Sequence, residues 1–220
     1  PLARPRAGHH SCEGIADMVA FQAFCRTALD GIRGQGRYRS FTALRKQADG
    51  FPRYRRPDGS EVLVWSSNDY LAMGGHEVVV QAACAAARQM GAGAGGTRNI
   101  SGTSTVHDAL EAELAALHAK PAALLFTSGF VSNQATLSTL LNSRPAGPDV
   151  PWQVFSDAKN HASMIAGIKG VPAHVQVFAN NDMADLATRL AAAPEGAPRL
   201  IAFESVYSMD GDIAPLAEIC

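Results

Sequence analysis

The sequence predicts an α/β protein with a mainly parallel sheet carrying helices on both faces, preceded by a short N-terminal arm. From Pro121 onward, short apolar runs alternate with stretches of helical spacing, the pattern of βαβ units and a sheet covered by helices. The chain has 220 residues, 47% hydrophobic and 18% charged, which is enough for a substantial core. Apolar runs such as Ala122 to Phe126 fall far short of the ~20 residues that cross a bilayer. The charge balance, 19 Lys+Arg against 20 Asp+Glu, provides no electrostatic footprint for nucleic acid or an acidic membrane.

Residues 1–17 start without methionine, are basic early on and lack the apolar core of a secretory signal, so residues 1–18 are read as a non-native or disordered leader. Residues 19–65 form the arm: Phe21, Phe24, Leu29 and Ile32 have helical spacing and Gly34-Gln-Gly36 ends the run. A polar stretch with Pro52, Pro57 and the turn Asp58-Gly59 then leads into a strand over Val62 to Trp65. Residues 66–220 are the first part of the main domain. A helix is expected over His76 to Met90, then a glycine-rich loop, Gly91 to Gly96, and a helix over His107 to Ala119 that stacks Leu110, Leu114 and Leu117 on one face.

After Pro121, strands are expected at Ala122–Phe126, Gln153–Phe155, Val175–Phe178 and Leu200–Phe203. Helices are expected at Asn133–Leu141, His161–Ile168, Met183–Ala192 and from Pro215. Cys220 falls within the first turns of that last helix, so the fold is expected to be incomplete at the C-terminus. Three prolines make Ser143 to Pro151 a surface excursion. Cys12, Cys25, Cys84 and Cys220 are scattered with no C-x-x-C pair, which argues against a metal site or a disulfide scaffold and fits reduced cytosolic thiols.

In parallel sheets ligands bind beyond the carboxyl ends of the strands, so those loops are the ones to search. Gly91 to Gly96 satisfies G-x-G-x-x-G, but a helix precedes it where a dinucleotide site needs a strand. A loop bringing backbone close to a small ligand, with Thr97, Arg98 and Asn99 supplying polar groups, reads better. Ser128-Gly129-Phe130 lies where a strand becomes a helix, a place where backbone N–H groups suit a phosphate, though an ordinary Ser-Gly strand exit looks the same. In Ser156 to His161, Asp157 or Asn160 could simply cap the next helix, while His161 could lay its ring on an aromatic ligand. Phe203 to Asp212 is another polar strand exit with an Asp210-Gly211 turn.

Four of these segments resemble the α-oxoamine synthase family: Ser66-Ser-Asn68-Asp-Tyr70-Leu71, Gly91 through Thr103, Ser156-Asp-Ala-Lys-Asn-His-Ala-Ser-Met-Ile165 and Phe203-Glu-Ser-Val-Tyr-Ser-Met-Asp-Gly-Asp212. The resemblance runs from about residue 19 to 220. It implies the fold-type I aminotransferase architecture, pyridoxal 5'-phosphate as cofactor and a homodimer with shared active sites. Arg-Asn-Ile-Ser-Gly-Thr and Glu-Ser-Val-Tyr-Ser-Met-Asp-Gly-Asp resemble the branch that condenses glycine with succinyl-CoA toward haem and other tetrapyrroles.

By position, the resemblance implies that Ser128, Gly129 and Phe130 hold the cofactor phosphate, that His161 stacks on its ring and that Ser208 contacts it near the ring oxygen. Arg39 would pair with the succinyl carboxylate, and Asn68, Thr97 and Ser156 would line the substrate pocket. Phe130 stands where relatives often carry tyrosine. The family's downstream Asp-Glu-x-His motif and its cofactor-bonding lysine are absent, since Lys46, Lys120, Lys159 and Lys169 are in other contexts. The chain therefore reads as an N-terminal fragment, inactive alone, of a cytoplasmic enzyme in a bacterium or of a mitochondrial matrix enzyme in a eukaryote. Alternatives are a sister synthase using acetyl-CoA or a pimeloyl thioester, a non-catalytic cofactor-binding module, and a nicotinamide-dependent oxidoreductase resting on the glycine-rich loop alone.

Overall fold

The computed structural model describes residues 12–220, with side chains from residue 18 onward. Most of the expected leader therefore lies outside the described residues. The chain divides into two compact units, the first ending at Gly93 and the second running Ala94–Cys220.

In the first unit, helix α1 spans Cys12–Gly34, starting nine residues before the apolar spacing that predicted it from Phe21. Phe21 and Phe24, one turn apart, stack at 6.5 Å. Three short strands follow, β1 (Arg45–Lys46), β2 (Arg53–Arg55) and β3 (Glu61–Leu63), in an antiparallel meander. The turn between β2 and β3 is the expected Asp58-Gly59: Gly59 takes φ 84, which favours glycine, and the Asp58 carboxylate accepts from Ser60 N at 2.8 Å. β3 stops at Leu63, short of the expected Trp65, whose side chain is exposed. Helix α2 spans Glu77–Met90, and Gly91 ends it at φ 83. A helix thus precedes the glycine-rich loop, which removes the strand a dinucleotide fingerprint requires.

In the second unit, α3 (Thr105–Leu117) opens on a capping box between Ser104 and His107. Helix α4 (Gly129–Asn142) begins at the cap Ser128, earlier than expected because the Ser128 hydroxyl accepts from Val131 N. There follow β4 (Gln153–Asp157), α5 (Ala162–Ile168), β5 (His174–Phe178), α6 (Met183–Ala191), β6 (Arg199–Ala202) and the single turn α7 (Leu216–Ile219). Residues 122–126 are a correction. They form no strand, because no described segment pairs with them; Leu125 N instead donates to Glu111 Oε1 at 2.7 Å.

β4 is the centre of a parallel sheet ordered β5-β4-β6 and is buried along its whole length. Its alternating side chains enter different cores, as the period of two requires. On one face Val154 packs with Leu141 of α4, Ile168 of α5 and Ala202 of β6. On the other, Phe155 packs with Phe178 of β5 and Leu186 of α6. Helices thus cover both faces. The chain moves from β4 outward to β5 by α5, then crosses back to β6 by α6 on the opposite face, as crossovers of one hand must when direction reverses. That reversal at β4 is a topological switch point, where open α/β sheets open a crevice at the strands' carboxyl ends. No helix among the described residues is long and apolar enough to cross a membrane.

Candidate active site at the carboxyl ends of the central strands

The three strands end level with one another: Ser156 is registered with Ala202, and Asp157 with Phe178. The loops leaving β4, β5 and β6 therefore emerge side by side. Asp157, 3% exposed, ties the β4 exit to the β5 exit. Its carboxylate accepts from Lys159 N at 2.8 Å, Asn181 N at 3.0 Å and Asn180 Nδ2 at 3.1 Å. Three donors offset the cost of burying a charge. Asn160 ties β4 to β6, donating from Nδ2 to Ser156 Oγ at 3.0 Å and to Ala202 O at 2.7 Å. Ser156, expected to line a substrate pocket, is thus buried and engaged in this tie. It also borders a largely apolar cavity of about 440 Å³ with Ile165, Val175 and Val177.

His161 caps α5, its Nδ1 accepting from Ser163 N at 3.2 Å and lying 2.7 Å from Ser163 Oγ. Its own N–H donates to Glu204 Oε1 at 2.5 Å, joining the β4 exit to the β6 exit. Ser163 is fully buried, and its hydroxyl also receives Asn133 Nδ2 of α4 at 3.0 Å. This link exists because α4 and α5 pack closely at Gly167, where an added Cβ would meet Gln134 Cα and Asn133 O at 3.0 Å. The packing brings the N-termini of the two helices together, with the Phe130 ring edge-on to His161 at 6.3 Å.

At the α4 N-terminus, the Gly129 and Phe130 N–H groups have no acceptor among the described residues, and nothing lies within 4 Å of where a Gly129 side chain would project. Unpaired amides at the positive end of a helix suit an anion. Ser128, Gly129, Phe130 and His161 are therefore one cluster.

Ser208 lies on the loop after β6, which closes on itself: Val206 bridges Ile213, Tyr207 N donates to Asp212 O at 2.9 Å, and Gly211 N to Tyr207 O at 2.8 Å. Tyr207 is 2% exposed. Burial first, and the nearby Asp157 carboxylate second, push its phenol up to about 12. Its hydroxyl, Asn160 Oδ1 and Asn181 Oδ1 are buried without a hydrogen-bond partner among the described residues, and all three belong to this edge of the sheet. Lys159 spans the two exits, bonding Asp210 Oδ2 at 2.8 Å and Asp212 Oδ2 at 2.9 Å, which raises its pKa.

Thr97 begins a wide turn over Arg98–Gly102, its carbonyl accepting from Gly102 N at 2.8 Å. Arg98 pairs with Glu111 of α3 through both guanidinium Nη atoms, at 2.5 and 3.0 Å. That pair first, and Leu125 N–H second, hold the Glu111 carboxyl at about 2. Arg39 and Asn68 belong to the first unit, where both side chains are exposed. Reading the sequence missed the Asp157 hub, the Arg98–Glu111 pair and Lys159. Asp157 and Asn160 resemble helix caps locally, and the partners of Lys159 lie more than 50 residues away in sequence.

Residues 60–220 match the family described as aminotransferase class I and II. The chain belongs to the class I and II aminotransferase family. Within it, the chain is 53% identical over 203 residues to the 5-aminolevulinate synthase of Rhizobium meliloti, covering 91% of this chain and 49% of that protein. It is 49% identical over 197 residues to that of Rhodobacter capsulatus, covering 88% and 47%. Among solved structures, the serine palmitoyltransferase from S. paucimobilis with bound PLP-myriocin aldimine superposes with a TM-score of 0.74 at 28% identity, covering 89% of this chain and 47% of that one. The fold is thus the fold-type I architecture of the family, and the chain spans about half the length of the curated relatives it matches.

Proposed function

We propose that the full-length protein condenses glycine with succinyl-CoA, releasing CoA and CO2, to give 5-aminolevulinate, with pyridoxal 5'-phosphate as cofactor. The observation that carries this reading is the 53% identity to a 5-aminolevulinate synthase across 91% of the chain. Residues 66–220 would then be the first part of the large cofactor-binding domain.

The residues present suit the cofactor: free amides at the α4 N-terminus for a phosphate, an exposed imidazole for a flat ring, and three unpartnered buried polar atoms along the same edge. When bound, pyridoxal phosphate supplies the electron sink for charge developing at the glycine α-carbon. Gly129 and Phe130 would donate their N–H groups to the phosphate. The Ser128 hydroxyl, already accepting from Val131 N, retains its own proton to donate. His161 would lie on the ring face, its orientation set by Ser163 and, through Ser163, by Asn133. Ser208 would reach the ring oxygen from the β6 exit.

Arg39 offers the succinyl carboxylate a planar two-pronged donor. Asn68, Thr97 and Ser156 would line the substrate pocket. In a homodimer, Arg39 and the Gly91 to Gly96 loop would serve the neighbouring subunit's site. We place the protein in the bacterial cytoplasm or, in a eukaryote, the mitochondrial matrix.

The test is to incubate the purified full-length protein with glycine and succinyl-CoA and measure 5-aminolevulinate. Acetyl-CoA with glycine, and pimeloyl-CoA with alanine, run in parallel to separate the sister reactions. Arg39→Ala should raise KM for succinyl-CoA at least about tenfold, the size of a lost hydrogen bond to a charged group. Unchanged kinetics in that variant, or turnover only with a sister substrate pair, would overturn the assignment.

A further inference from the structure

The β6 exit loop is anchored at its base, and its tip is closed by two backbone bonds, Tyr207 N to Asp212 O and Gly211 N to Tyr207 O. The base has the buried Tyr207, the Val206–Ile213 bridge and the Glu204 carboxylate on His161 N. The tip carries two carboxylates, Asp210 and Asp212, on either side of Gly211 at φ 73. Like charges so close in a tight turn repel unless a cation sits between them. Lys159 from the β4 exit is that cation, bonding both at 2.8 and 2.9 Å. Ser208 lies between the buried Tyr207 and the clamped Asp210, so its position is set from both sides.

Resting on the cofactor reading given above, we propose that Lys159 is a positioning residue that holds the Ser208 turn beside His161. One ammonium group bonds both carboxylates, offsets half of their charge and ties together the loops that approach the cofactor ring from different strands. Because the base of the loop has its own anchors, losing Lys159 releases the tip from the β4 exit and leaves the fold intact. Lys159 touches neither cofactor nor substrate and acts through Ser208.

The experiment is a double-mutant cycle on the full-length protein, read as the dissociation constant for pyridoxal phosphate by absorbance titration, with thermal melting alongside. Lys159→Met and Ser208→Ala should each raise Kd roughly tenfold, and the double variant should be no weaker than the weaker single, because residues acting as one unit are non-additive. Lys159→Arg should restore wild-type affinity. Lys159→Gln removes the ammonium, leaves both carboxylates in place and serves if Lys159→Met does not fold. A Lys159→Met Kd at the wild-type value, a Ser208→Ala Kd at the wild-type value, or losses that multiply in the double variant would each overturn the proposal. Failure of the wild-type protein itself to bind pyridoxal phosphate would instead sink the cofactor reading on which the proposal rests.

Discussion

Replacing Gly167 with alanine sets two physical effects against each other. Gly167 is inside α5, where intrinsic propensity alone predicts that Gly→Ala stabilises by about 1 kcal/mol. Packing predicts the reverse. The added Cβ would stand 2.9 Å from Leu137 Cβ, 3.0 Å from Asn133 O and 3.0 Å from Gln134 Cα. Two of these atoms belong to the α4 backbone and cannot swing aside. Restoring ordinary contact at 3.4 Å means moving the helices apart by about half an ångström, and overpacking of that kind typically costs about 1–3 kcal/mol. The net expectation is a local loss of about 1 kcal/mol.

The assay is amide hydrogen exchange across α5 in the full-length protein, which reports local opening even where global unfolding is not two-state. The α5 amides should exchange about fivefold faster in Gly167→Ala, as a loss of about 1 kcal/mol implies. Gly31→Ala in α1 is the control, since nothing among the described residues lies within 4 Å of its added Cβ. There propensity acts alone, and exchange should slow. Slower exchange in both variants would refute the packing argument, and with it the explanation of how Ser163 is brought to Asn133 and His161.

Asn160→Ala removes the donor to Ser156 Oγ and Ala202 O, both buried, and should cost about 2–3 kcal/mol in denaturant unfolding, the price of stranding buried acceptors. A loss below about 0.5 kcal/mol, the size of an ordinary surface change, would show that β4 and β6 do not depend on that tie. The Glu111 carboxyl is lowered from 4.5 to about 2 by Arg98 and then Leu125 N–H. A depressed carboxyl stabilises fully above its unfolded pKa, so this contribution is lost as pH falls from 4.5 toward 2. Glu111→Gln should therefore melt lower than wild type at pH 7 and show a shallower further decline through that acid range; parallel melting curves at all pH values would contradict it.

Several elements were legible because their signals are local. α6 begins where expected because Asp182 caps it, its carboxylate accepting from Asp185 N at 2.9 Å, and its apolar stripe faces the sheet. The cluster was legible for the same reason: Ser128-Gly129-Phe130 and His161 each come within a few residues of an apolar run and open a helix. β1 and β2 were not, since two or three residues such as Arg45–Lys46 and Arg53–Arg55 contain no alternation to detect. Residues 122–126 have a strand's composition, but a strand also needs a neighbour, and pairing is not written in any one segment. In the sequence, Lys159 is legible only as a lysine outside the family's cofactor-bonding context. Its role depends on two aspartates that only the sheet brings to it.

The proposed reaction requires the cofactor at the α4 N-terminus beside His161. A crystal structure of the full-length protein grown with pyridoxal phosphate tests this most directly. The phosphate should lie within hydrogen-bond distance of Gly129 N, Phe130 N and Ser128 Oγ, with the ring stacked on His161 and Ser208 at its edge. A phosphate bound elsewhere, or a His161 ring turned away from the cofactor, would contradict it.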